Sequence, residues 1–250
     1  MPIIDVHAHY GEWFFPIYKS GRKNIKELMK HHDVEAVILS SSKAITYDMV
    51  EGNRDLSRIL EPSEGLYGYV YVNPNYPELS KAEVNKYLDD PFFKGIGEIH
   101  PDYSGIPVNS ENNISIISEA AGYGKPFLIH TYSLENVNGL VEIAKKFSGN
   151  IFIAGHMGGT TGSGTGLSWK KAIDAAKEYS NLYLEICITL FEKGKLEEAV
   201  DKAGVDKIMF GSDLTLLNPA HMIGMVLEAE ISKNDKYKIF CLNAKRVFSI

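Results

Sequence analysis

The chain has 250 residues, 44% hydrophobic and 23% charged, enough apolar material for one large core and no case for disorder. Twenty-six basic against 32 acidic residues leave a net charge of −6, and no basic cluster marks a nucleic-acid footprint. Cys187 and Cys241 are too few for a disulfide framework or a cysteine-based zinc site, and no apolar run is long enough to span a membrane.

The first expected strand is "IIDVHAH" (3–9), and no signal peptide is expected ahead of it. With buried thiols in a reducing compartment, a cytoplasmic protein is the expectation. His7 and His9 lie two apart, which puts them on one face of a strand, about 6.6 Å apart at Cα. Two imidazoles so placed can converge on one ion, or simply hydrogen-bond at a strand end. The loop "YGEWFFPIY" then gathers Trp13, Phe14, Phe15 and Tyr18. It forms an apolar wall over a substrate if it lies on the active face, and ordinary packing otherwise.

A helical pattern over 24–32, capped by Asn24, carries His31 and His32 as surface residues. Next come "VEAVILS" (34–40), a helix over 48–61 opened by Asp48, "LYGYVYV" (66–72) and a helix over 77–90. "KGIGEIH" (94–100) ends with Glu98 and His100 on a shared face, before a helix over 112–123. "PFLIHT" (126–131) carries His130, followed by a helix over 134–147 capped by Ser133. "IFIAGHM" (151–157) carries His156 and leads into "GGTTGSGTG" (158–166) and a helix over 168–179. In "LYLEICI" (182–188), Glu185 and Cys187 share a face that sequence does not assign. After a helix over 195–203, "KIMFGSD" (207–213) ends in Asp213. A helical tail spans 219–248 with a break near "SKND", and His221 at its opening reads as rim or surface. Pro62, Pro77, Pro91 and Pro126 fall at element boundaries.

Strand starts recur every 25–32 residues, the size of a βα unit. Eight alternations in one chain favour an α/β fold of the (β/α)8 barrel type, a single domain over 1–250. His7, His9, Glu98, His100, His130, His156 and Asp213 all fall at the C-terminal ends of their strands, the face on which barrel enzymes build their sites. A structural histidine explains one such residue and explains five poorly.

His7, His9, His130 and Asp213 offer neutral nitrogens and one hard oxygen, a set that suits zinc and also accepts manganese or iron. Asp213 can ligate an ion and accept a proton from water, or alone it reads as a turn aspartate. His156 can orient or deprotonate that water, or bind a second metal. Glu98 either bridges two metals or orients a ligand histidine from behind. His100, before Pro101, caps the strand or contacts substrate. Gly158 and Gly159 can offer backbone N–H groups to a substrate carboxylate, or serve only as a flexible loop. Trp13 is the ring placed to touch substrate.

The segments "DVHAHYG", "YVNPN" (71–75), "FKGIGEIHPDYSGIPVN" (93–109), "FLIHT" (127–131), "AGHMGG" (154–159), "NLYLE" (181–185), "IMFGSDL" (208–214) and "LNAKRVF" (242–248), in that order, resemble the metal-dependent amidohydrolase superfamily, in its amidohydrolase family 2 branch. The resemblance covers nearly the whole chain and implies a distorted (β/α)8 barrel. It further implies His7, His9, His130 and Asp213 as ligands of a principal metal, with His156 activating water. Where many members carry lysine, this chain has Glu98, which is similar to the metal-bridging carboxylate of the superfamily's deoxyribonuclease branch.

The expected activity is a metal-dependent hydrolase that activates water against a small carbonyl-containing substrate, carboxylated or cyclic. The alternatives are a non-oxidative decarboxylase using the same site, a two-metal phosphoesterase, and a metal-binding barrel without catalysis. Scarce arginine weakens the phosphoesterase. One or two divalent ions are the expected cofactor, with zinc ahead of manganese and iron. A small molecule is the expected partner, without nucleic acid or membrane, and a homodimer is the guess for assembly.

Overall fold

A computed structural model describes residues 1–17, 20–160, 167–188 and 192–250. Eight parallel strands run in sequential order: β1 (Ile3–Tyr10), β2 (Val34–Ser41), β3 (Leu66–Val70), β4 (Phe93–Ile99), β5 (Phe127–His130), β6 (Phe152–Gly155), β7 (Leu182–Glu185) and β8 (Ile208–Met209). The Val6 N–H donates to Phe210 O at 3.0 Å and the Asp213 N–H to His7 O at 2.9 Å, which brings the last strand back to the first. The expected (β/α)8 barrel is therefore what the chain forms.

Helices follow the strands. They are α1 (Arg22–His31), α2 (Ser42–Thr46), α3 (Met49–Ser57), α4 (Pro77–Tyr87), α5 (Pro101–Ser104), α6 (Glu111–Ala120), α7 (Leu134–Lys146), α8 (Ser168–Glu178), α9 (Lys195–Ala203), α10 (Pro219–Glu228), α11 (Lys233–Tyr237) and α12 (Asn243–Phe248). Asp48 and Ser133 cap α3 and α7, accepting from the N–H groups of Glu51 and Asn136. Asn24 does not cap: α1 starts earlier, behind Gly21, and Asn24 sits inside its first turn. The short α2 and α5 follow β2 and β4 directly, where sequence periodicity is too brief to show. The tail breaks before α11, whose cap is Ser232 of the expected "SKND".

Two cores result. The larger lies between the strands and the helix ring, with Leu39, Phe93, Phe127, Ile173 and Phe210 among its members. The smaller fills the barrel with Ile4, Val6, Ile38, Tyr69, Leu128, Ile153 and Met209, joined by Ala244, Val247 and Phe248 of α12. Tyr69 is fully buried there and its hydroxyl donates to Val6 O at 2.8 Å. With the lumen filled in this way, the polar side chains near the C-terminal strand ends form a separate layer above it.

Candidate metal centre

Strict alternation cannot put both Ile4 and His7 inside one barrel, since they differ by an odd number of residues. The pairing of β1 with β2 resolves this. Asp5 pairs with Val37 and Ala8 with Leu39, three residues against two. This bulge reverses the facing of the strand, so Ile4 and Val6 fill the lumen while His7 and His9 also turn inward above them. β4 repeats the device: Ile96 pairs with Phe127 and Ile99 with Ile129. Gly97 lies in the offset stretch, where a Cβ would come within 2.8 Å of Leu128, and the offset turns Glu98 inward.

The remaining groups are aimed by turns. β6 ends at Gly155 and β8 at Met209, so His156 and Asp213 lie just beyond their strands rather than in them. Both take left-handed backbone angles, φ 63° and 61°, a costly conformation for residues other than glycine and one that concentrates at functional sites.

These elements bring the seven strand-end residues together. Glu98 is central, 2% exposed. Its Oε2 lies 3.3 Å from His7 Nε2 and 3.7 Å from His9 Nε2. Its Oε1 lies 2.7 Å from His130 Nδ1 and 3.2 Å from His156 Nε2. Asp213 Oδ1 is 2.9 Å from His9 Nε2 and 3.9 Å from His7 Nε2. His100 stacks on His130 with ring centroids 3.8 Å apart, and Trp13 stands edge-on to His9 at 5.1 Å.

A second layer that sequence left open supports the first. Glu185 faces inward and its Oε2 accepts from His7 Nδ1 at 2.7 Å and from the His156 backbone N–H at 3.1 Å. Cys187 shares that side, with Sγ 2.9 Å from His156 Nδ1. The period-two spacing of these residues was the available signal, but it could not choose a face. Asp102 was missed altogether: its Oδ2 lies 3.3 Å from His130 Nε2, and it sits on α5, a turn with no sequence periodicity to mark it.

The glycine expectation is corrected. The Gly158 N–H donates to Thr131 Oγ1 at 3.2 Å and the Gly159 N–H to His156 O at 2.7 Å, so neither is free for a carboxylate. Gly158 is needed for close approach, since a Cβ there would meet Ser168 O at 2.7 Å. Residues 161–166 of the glycine-rich stretch, and Tyr18, lie outside the described residues. His31 and His221 are exposed and are not among the described residues lining the pocket; His32 is half-buried at the end of α1.

Buried carboxylates set the electrostatics. Burial pushes Glu98 up, but the charges of His7 and His130, with hydrogen bonds from His130 and His156, hold it well below the usual carboxylate range. Burial pushes His130 down, yet Glu98 and Asp102 raise it to about 9. Asp213 is held at about 2 against its burial by His9, His7 and His156. Burial, with the charge of His130, pushes His100 down to about 3. No lysine or arginine stands among the described lining residues of this pocket.

The donors fit a divalent cation. The His7 Nε2 and Asp213 Oδ1 atoms are buried and make no hydrogen bond of acceptable geometry. His7, His9 and Glu98 form one trio with ligand atoms within 4.8 Å of one another, and Glu98, His130 and His156 form another. Sharing Glu98, the two trios suit either one ion or two.

Residues 4–250 match the family described as Amidohydrolase. No curated protein matches the chain. Among solved structures of similar fold is a dihydroxybenzoic acid decarboxylase from Polaromonas with bound manganese and an inhibitor, 2-nitroresorcinol: 18% identity, 99% of this chain and 97% of that one, TM-score 0.76. A 2,6-dihydroxybenzoate decarboxylase from Rhizobium matches at 16% identity over 99% and 98%, TM-score 0.75. A probable 2-pyrone-4,6-dicarboxylic acid hydrolase from Acinetobacter baumannii, with citric acid bound, matches at 15% identity over 100% of both chains, TM-score 0.73.

Proposed function

The chain belongs to the amidohydrolase family, and from that premise we propose that it is a metal-dependent hydrolase of a small, ring-containing substrate with a scissile carbonyl. The observation that carries this reading is Glu98, whose two oxygens face different histidine pairs, His7 with His9 and His130 with His156. A carboxylate that served only to orient one histidine would need one oxygen so placed.

His7, His9, Glu98 and Asp213 would hold one ion, and Glu98, His130 and His156 a second. Zinc suits this set, with manganese or iron accepted. Such an ion supplies Lewis acidity toward a carbonyl oxygen and lowers the pKa of water. Asp213, with Oδ1 unbonded and beside His9, is placed to take a proton from the attacking water. Where no second ion is held, His156, kept from behind by Cys187 and presenting Nε2 to the pocket, is instead placed to pass a proton to the leaving group. Trp13, Tyr103 and Tyr132 wall the pocket and exclude bulk water. The partner would be a small molecule. No helix among the described residues is long and apolar enough to cross a membrane.

A second reading is non-oxidative decarboxylation, and the stated activities of two of the similar structures favour it over hydrolysis. There one ion suffices. The bond from ring to carboxylate breaks, its electrons stay on the ring carbon, carbon dioxide leaves, and that carbon takes up one proton from solvent, passed to it by Asp213.

Metal content of protein purified without chelator, beside Glu98→Gln, tests both readings, together with product analysis on aryl amides, lactones and hydroxybenzoates in 18O-labelled water. Two equivalents falling to one, with 18O in the product acid, supports the hydrolase. One equivalent with carbon dioxide release supports the decarboxylase. No metal under any loading condition overturns both.

A further inference from the structure

Two cavities meet at Trp13. The pocket at the metal centre encloses about 370 Å³ and a second cavity about 550 Å³, and Trp13 is the one described residue that lines both. The second cavity lies on the helix side of β1, walled by Tyr10, Ser41, Lys43, Asp55, Arg58 and Ile59. Alternation along the strand explains the split: His9 turns into the metal pocket and its neighbour Tyr10 turns to the other face. Gly11, at φ +97°, then turns the chain at the strand end. Its N–H donates to Ser20 O at 3.1 Å, which pins the base of the loop that carries Trp13. The indole stands edge-on to His9 at 5.1 Å, stacks on Phe15 at 5.8 Å and packs in a cluster with Ala44, Ile45, Met49 and Tyr71. It is 6% exposed, and its buried Nε1 makes no hydrogen bond among the described residues. Packing alone holds the ring in place.

Resting on the metal-dependent reading above, we propose that Trp13 is the residue that sets substrate length at this site. Its ring closes the path from the metal centre over the end of β1 into the second cavity, so a substrate held at the ions ends at the indole on that side. A neutral, flat extension on such a substrate has no room there while the indole stands. With the indole removed, the extension crosses the strand end and lies against Tyr10, Tyr47 and Ile59. The two cations of that cavity oppose no such group, because Asp55 already pairs with Lys43 at 3.0 Å and with Arg58 at 3.4 Å. Burying one further aromatic ring is worth about tenfold or more in affinity.

Calorimetric titration of metal-loaded protein with benzohydroxamate and its 3-phenyl and 4-phenyl derivatives tests this, because the hydroxamate anchors each on the ion and only the reach differs. In wild type the better phenyl derivative is expected to bind within about threefold of the parent compound. In Trp13→Ala its advantage over the parent is expected to reach about tenfold or more, and in the milder Trp13→Leu a smaller part of that gain. The comparison is a ratio within each variant, so a general weakening beside His9 does not imitate it. Ile59→Trp fills the second cavity from its other wall. It is expected to leave the wild-type ratio unchanged and, combined with Trp13→Ala, to cancel the gain. An unchanged ratio in both Trp13 variants overturns the proposal and leaves the metal centre standing. A gain that survives Ile59→Trp also overturns it, since the extension then lies elsewhere than in the second cavity. If no hydroxamate binds while the ions are demonstrably present, the reading of the site as an open metal centre fails and this proposal falls with it.

Discussion

Glu185 takes the Nδ1 side of His7 at 2.7 Å, and neither side chain reaches solvent. A carboxylate can only accept there, so Nδ1 carries the proton and the Nε2 lone pair is left facing the site, where it has no hydrogen-bond partner. Glu185→Gln exchanges one accepting oxygen for a donor and frees the ring to take the other tautomer. Metal affinity is expected to fall about 10–100-fold, measured by competition with a chromophoric chelator. Wild-type affinity in that variant would show that His7 is not oriented from behind.

Gly211 passes against the same pair. A Cβ there would stand 2.1 Å from Glu185 Oε1 and 2.7 Å from His7 Cβ. Gly211→Ala must therefore move one of them, and is expected to lose metal at least as severely as Glu185→Gln while circular dichroism stays native. Full metal content in this variant would mean the layer behind His7 has slack that the packing does not show.

Gly158 offers a contrast away from the ligand atoms. Its φ of +82° is left-handed, and an added Cβ would meet Ser168 O at 2.7 Å at the start of α8. Gly158→Ala is expected to cost about 1–3 kcal/mol of stability, read from urea unfolding of the metal-loaded protein. A midpoint equal to that of wild type would contradict the close approach of this loop to α8.

Lys195 introduces a pH dependence. Its Nζ is buried, donates to Gly159 O at 2.6 Å and lies 5.1 Å from the Trp169 ring centre, and burial lowers it to about 8 from 10.5. The folded state then binds fewer protons than the unfolded chain between about 8 and 10.5, so this residue makes stability rise with pH across that window. Against Lys195→Met, wild-type Tm is expected to gain between pH 8 and 10.5 and to run parallel below pH 7. Parallel curves throughout would show that folding does not lower Lys195.

Tyr69 tests the lumen beneath the site. Tyr69→Phe leaves Val6 O without its hydroxyl donor, and is expected to cost about 1–3 kcal/mol without changing metal stoichiometry. A change in stoichiometry would mean the packed lumen sets the ligand geometry above it.

Much of this molecule is local in origin. β-branched runs recurring at the length of a βα unit, with Asp48 and Ser133 at helix starts, specify eight strands and the helices between them, because hydrophobic period and capping are properties of neighbouring residues. His7, His9, His130, His156 and Asp213 were legible as one set because a parallel barrel puts all its strand ends on one face, whatever its detailed register. What the tertiary structure alone decided is the aim of each group. Whether His7 faces the lumen depends on the extra residue between Asp5 and Ala8, and a bulge is defined only against the strand it pairs with. Glu98 between two histidine pairs, Glu185 and Cys187 behind His7 and His156, Asp102 at the rim, and the N–H groups of Gly158 and Gly159 turned to internal acceptors all follow from contacts between residues distant in the chain. Local periodicity cannot encode such contacts, because they come into being only when the barrel closes.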